Sequence, residues 1–269
     1  MRRSFSLLDI GSATLLASSV LLLSACGGGG GGEKGNDPIR FSNPNSDSST
    51  TNSLAITEDN AVQLANLVVK LENITFYSGD EEGDGESDTE SCPRSGSVTS
   101  SVKSTPNSTT GKNDITAKLT PKNCSIDGKL AINGAIEMKG EYYQKLLDMH
   151  LSGQLSLNLI GTSQQLAVTS INILATDNSL NTSASFNMTL SGSMLSNTSV
   201  KVQSTTNVET IEDANHPYKG VFQITGDKNT VLTLKYDSSG AGVYLGVNGN
   251  PSYFMTWKQL EDASLADIK

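Results

Sequence analysis

From about Ile115 onward, apolar side chains fall on every second residue. Met149, Leu151, Leu155, Leu157 and Leu159 share one parity, as do Ala184, Phe186, Met188 and Leu190. The same spacing links Val200 with Val202, Leu232 with Leu234 and Tyr236, and Val243 with Leu245 and Val247. Successive side chains of a strand point to opposite faces, so this period builds a sheet with one apolar side. Turn signals punctuate it at Asp127-Gly128, Asn133-Gly134, Thr176-Asp177-Asn178, Gly226-Asp227-Lys228-Asn229 and Asp237 to Gly240. Alternation broken at such short intervals predicts consecutive antiparallel hairpins, about eight to ten strands between residues 113 and 258. The other parity is mostly Ser, Thr, Asn, Gln and Lys, which makes the second face wet. A meander this wide has to curl, close or be covered to limit its edges. The expected fold is therefore mainly β, a curled or half-barrel-like antiparallel meander.

One segment follows a different period. In ITEDNAVQLANLVVKLENI (56–74), Ala61, Leu64, Ala65, Val68 and Leu71 recur at steps of three and four. Thr57 suits the N-cap, Glu58 and Asp59 sit where the helix dipole favours acids, and Lys70 lies near the C-terminal end. A helix over 58–71 is the natural cover for the sheet. The acidic run SGDEEGDGESDTESC (78–92) has nothing apolar to bury and is expected as a loop over 78–91. The C-terminal WKQLEDASLADIK predicts a short helix through Trp257, Leu260 and Ile268. Together these elements make a single domain over 54–269, an ordinary size for one core.

The start of the chain is of another kind. Arg2 and Arg3 precede an apolar stretch from about Ile10 to Leu23, the length of a signal-peptide core and short for a membrane span. It ends in Leu23-Ser24-Ala25-Cys26, which resembles a lipobox, the recognition site of bacterial lipoprotein signal peptidase. That resemblance implies a signal peptide over 1–25 and a Cys26 acylated on its sulfur and its amine, and two or three chains anchor firmly. Glycine at 27 instead of aspartate implies export to the outer membrane. Six glycines follow, then a tract of Asn, Ser, Asp, Pro and Thr, so residues 26–53 are expected as a disordered, solvated tether. Poly-glycine after the lipid cysteine also looks like the start of some surface-exposed lipoproteins of Gram-negative bacteria, among them transferrin-, heparin- and complement-factor-binding ones. Aromatic girdles are absent, and an anchor plus tether would be redundant in a transmembrane barrel.

Apart from Cys26 the chain has Cys92 and Cys124, and in an exported protein two remaining thiols most often pair. Cys92-Pro93, Gly96-Ser97-Val98, Asn123-Cys124, Gly128 and Asn133-Gly134 are similar to a pattern in uncharacterised proteobacterial lipoproteins. Those proteins share a helix of the ITxxNAxxxA kind, matched here by Ile56, Thr57, Asn60, Ala61 and Ala65. The likeness covers residues 55–160, supports the Cys92–Cys124 bridge and carries no activity with it.

Chemistry is sparse. Asp80, Glu82 and Asp84 with Gly85 look like the first half of an EF-hand calcium loop, but position twelve is Ser91 where a bidentate glutamate belongs. A solvated acidic linker outweighs weak calcium binding there. The strand parity puts His150 on the wet face, and His216 falls in a loop, so both read as surface residues. No GxSxG, HExxH, phosphate-cradling GxxxxGK[ST] or complete GxGxxG occurs. Ser100-Ser101-Val102-Lys103 contains an SxxK without its companion motifs. The net charge of −9, with no Lys/Arg cluster, argues against nucleic acid as a partner. The sequence thus predicts a non-enzymatic outer-membrane lipoprotein without a cofactor, held in lipid through Cys26, whose sheet binds a protein or small molecule. The alternative is a carrier or assembly factor whose curled sheet and helix enclose an apolar ligand.

Overall fold

The computed structural model describes residues 52–72, 84–143, 146–178, 181–211, 214, 216–266 and 268–269. The leader, Cys26 and nearly all of the tether lie outside them. The predicted helix forms as α1 (Glu58–Glu72). Thr57 immediately precedes it, and Asn60, the asparagine of the ITxxNA pattern, reaches back to accept the Thr57 backbone N–H at 3.0 Å.

Twelve strands follow in one antiparallel sheet, each paired with its neighbours in sequence. They are β1 (Asp84–Ser91), β2 (Ser95–Asn107), β3 (Lys112–Ser125), β4 (Leu130–Tyr143), β5 (Leu146–Leu159) and β6 (Gln165–Asp177). Then come β7 (Asn181–Gly192), β8 (Thr198–Ile211), β9 (Lys219–Thr225), β10 (Val231–Tyr236), β11 (Gly242–Val247) and β12 (Tyr253–Thr256). β1 and β12 are its edges, so the sheet is open. The meander is wider than the eight to ten strands expected and starts earlier, because β1 and most of β2 carry no apolar alternation. Asp84–Ser91, expected as loop, is strand, held by backbone pairing to β2.

The curl follows from lengths. The α1 end bears Glu58, which accepts from Asn250 Nδ2 at 3.1 Å beyond β11, and Lys70 sits 3.7 Å from Asp127 in the β3–β4 turn. Twelve helical residues rise about 18 Å, whereas seven strand spacings along a flat sheet come to about 34 Å. A bent sheet brings both turns to the two ends of one helix without stretching the side chains that join them. Register shifts at Gly153/Leu155, Thr169/Asn172, Ala184/Asn187 and Ser204/Thr206 run through β5–β9, and bulges of this kind bend and twist strands.

The concave face holds the core. Leu166, Leu190, Val202, Phe222, Ile224, Leu234 and Leu245 are all fully buried there. α1 lies on it, with Ala61, Leu64, Ala65 and Leu67 likewise inaccessible to water. α2 (Trp257–Glu261), capped by a reciprocal Thr256–Gln259 box, leads into a final segment packed along α1. Ile268 is not helical as expected, and its N–H donates to the Met194 carbonyl at 3.1 Å. Two buried asparagines clip this segment to the helix: Asn60 Nδ2 donates to the Lys269 carbonyl at 2.7 Å and Asn66 Nδ2 to the Ala263 carbonyl at 2.8 Å. The Cys92–Cys124 disulfide is formed and ties the β1–β2 turn to the end of β3.

Candidate functional site

The two faces of the sheet offer different chemistry. On the concave side, an aromatic series runs toward the β10–β11 turn. Phe186 meets Phe222 at 5.4 Å between ring centres, Phe222 meets Tyr236 edge-on at 6.3 Å, and Tyr236 lies 5.9 Å from Trp257. His216 stacks flat on Trp257 at 3.9 Å, and Trp257 Nε1 donates to the Gly240 carbonyl at 2.7 Å. At the last turn of α1, Glu72 accepts a hydrogen bond from the Tyr236 hydroxyl. Burial pushes the Glu72 carboxyl up to about 7, with the Tyr236 hydrogen bond pulling against it. Burial and the neighbouring Glu72 charge hold Tyr236 well above the usual tyrosine range. Desolvation lowers His216, countered in part by the charge of Glu261.

His216 is thus half-buried, not the surface residue expected from its loop, and its Nδ1 has no partner among the described residues. His150 stands where strand parity placed it, exposed on the convex face and 2.9 Å from Asn172 Oδ1. The two histidines therefore lie on opposite faces of the sheet. The Glu72–Tyr236 hydrogen bond, with Trp257 beside the tyrosine ring, is a contact that sequence spacing cannot reveal, because α1 and β10 are far apart in the chain.

The convex face is mostly polar, although Leu174, paired with His150, and Phe254, paired with Tyr244, are exposed on it. One line of directly paired residues crosses eleven strands: Ser87, Ser101, Lys118, Glu137 and Ser152, then Asn172, Asn187, Gln203, Gln223, Thr233 and Gly246. Asn187, Gln203 and Gln223 are exposed and make no side-chain hydrogen bond among the described residues. Near one end, a depression of about 310 Å³ lies over β2–β4, with Lys103, Lys118 and Lys139 around Glu137. Near the other, a depression of about 420 Å³ lies over β10, β11 and the β11–β12 turn.

Of the residues singled out for calcium, Asp80 and Glu82 lie outside the described residues. Asp84 opens β1, whose backbone runs extended through Gly85 to Ser91 where an EF-hand-like loop would wrap. No group of three or more His, Cys, Asp or Glu suited to a metal occurs among the described residues. No helix among them is long and apolar enough to cross a membrane. No protein-family model matches the chain, and neither does any curated protein or solved structure compared with it.

Proposed function

We propose that this chain is a lipid-anchored outer-membrane lipoprotein whose curled sheet serves as a non-enzymatic interaction module, with the convex face as its working surface. The lipobox-like Leu23-Ser24-Ala25-Cys26 and the glycine tether support the anchor. The unbroken polar line across eleven strands carries the interaction reading. Over β5–β10 it offers neutral donors and acceptors in a fixed register, flanked by Lys118 and Glu137 on β3 and β4. The carrier alternative needs space between α1 and the sheet. Ala61, Leu64 and Ala65 have no surface there that a water-sized probe can touch, which supports a filled interior instead.

The test uses the full chain in cells. Cys26→Ala leaves unprocessed precursor and removes the protein from the outer-membrane fraction. A second variant, Asn187→Glu with Gln203→Glu and Gln223→Glu, stays acylated and folded yet loses retention on envelopes washed free of lipid by detergent. Normal trimming of the Cys26→Ala chain sinks the anchor. Undiminished retention of the triple variant sinks the convex face.

A further inference from the structure

We infer that the depression at the β10–β12 end of the convex face is a subsite for one pyranose unit of an acidic saccharide. The inference rests on the reading of the convex face as an interaction surface and names its ligand class. The depression is lined by Thr233, Lys235, Tyr244, Gly246, Asn250 and Ser252, and its volume of about 420 Å³ falls within the range of small-molecule sites.

Gly246 is the telling residue. It sits inside β11, where glycine weakens a strand and gives nothing to pack. Its φ is not positive, and a Cβ built there meets nothing nearer than the Asn250 carbonyl oxygen and Ser252 Cβ, both at 3.6 Å. Gly242 on the same strand is different: a Cβ there would fall 2.0 Å from the Met255 carbonyl oxygen, so packing demands glycine. Nothing in the packing demands it at 246. What the missing side chain does is keep the floor of the depression open.

The walls suit a sugar. A pyranose ring has an apolar C–H face and a rim of hydroxyls. Tyr244, backed by Phe254 at 5.2 Å between ring centres, offers an aromatic surface to the first. The Thr233 and Ser252 hydroxyls suit the second, and so does Asn250 Oδ1, its Nδ2 being engaged at 3.1 Å by Glu58. Charge sets the class. Lys235 pairs in register with Tyr244 and makes no ion pair among the described residues. No carboxylate lines the depression, and the Glu58 carboxylate beside it is engaged by Asn250 Nδ2. A saccharide carboxylate is therefore drawn to the Lys235 end, where its contacts are charge-assisted.

The experiment is calorimetric titration of the full chain with oligogalacturonate and with uncharged maltohexaose. The acidic probe should bind at least about tenfold more tightly than the neutral one. Gly246→Leu fills the depression, and Tyr244→Ala removes its wall. Each should weaken the acidic probe about tenfold or more in a chain whose circular dichroism shows the sheet retained. Lys235→Gln should erase the preference between probes. Absence of binding to both probes overturns the subsite. So does a Gly246→Leu chain that binds like the parent, or a preference that survives Lys235→Gln. Envelope retention of the Asn187, Gln203 and Gln223 triple variant separates the two ideas. If neither probe binds and retention still depends on the polar line, the saccharide falls and the interaction surface stands. If neither holds, both fall.

Discussion

Val202 and Gln203 are neighbours in one strand and belong to two different molecules in all but covalent terms. Val202 has no exposed surface in the concave core, while Gln203 lies in the open between Asn187 and Gln223. The same alternation repeats along the long strands, so each strand contributes one set of residues to stability and another to the surface. On the concave face every position is constrained by a neighbour, from the Phe186–Phe222–Tyr236 series to the asparagines that clip the final segment. On the convex face the central residues of the polar line are held by backbone register alone. A side chain that packs against nothing is free to be chosen for what it meets outside the molecule.

The largest effect should come from breaking the concave side. Phe222 has no exposed surface and touches both Phe186 and Tyr236. Phe222→Ala leaves a cavity that neighbouring strands cannot close, with a cost of about 3–5 kcal/mol. Urea unfolding of the full chain reads it as a lower midpoint at unchanged slope. Gln223→Ala, one residue along and on the other face, is the paired control and should stay within about 0.5 kcal/mol. Equal losses would mean that the two faces are not divided as described.

A smaller, pH-dependent effect sits where the concave face is not fully apolar. Glu72 has a folded-state value of about 7 against an ordinary 4.5. Between those values the folded chain keeps a proton that the unfolded chain has released. Stability therefore falls as pH rises through this window, and the cost is complete above pH 7. Glu72→Gln keeps an acceptor for the Tyr236 hydroxyl and removes the charge. It should leave stability unchanged near pH 4.5 and raise it by up to about 3 kcal/mol above pH 7, since each pKa unit is worth about 1.4 kcal/mol. Melting curves from pH 4.5 to 8.5 check the sign. A variant that gains most at acid pH would show that Glu72 is stabilised as a carboxylate, and the burial argument would fail.

How far the sequence foretold this division depends on where the apolar residues fall. β5, β7, β10 and β11 announce themselves because one parity is apolar over most of its length, and α1 because its stripe recurs at three and four. β6 is concealed by a bulge. Leu166 and Val168 are buried on one parity and Ile171 and Ala175 on the other, with Ser170 at φ 54° absorbing the extra residue between them. β1 has no apolar residue, so its strand exists only through pairing to β2, and its acidic composition reads as loop. The wet face was legible as a parity of Ser, Thr, Asn and Gln. The Glu72–Tyr236 contact and the opening above Gly246 were not, because both arise where the curl joins distant segments or where a side chain is missing.

The finest distinction between the faces is a substitution that should do almost nothing. Asn187, Gln203 and Gln223 stand side by side on β7, β8 and β9, and amides are poor strand formers compared with threonine. If these amides serve only what lies outside the sheet, replacing all three by threonine removes no internal contact. Stability should then change by no more than about 0.5 kcal/mol, and any shift should favour the variant. If the amides instead brace the strands through contacts along the line, the triple change would cost well over about 1 kcal/mol. That outcome would turn the polar line into part of the scaffold. Retention on washed envelopes, measured on the same variant, then decides the matter from the other side. A chain equally stable but no longer retained assigns the amides to recognition, since threonine keeps the face wet and loses only the reach and the donor–acceptor pair of each amide.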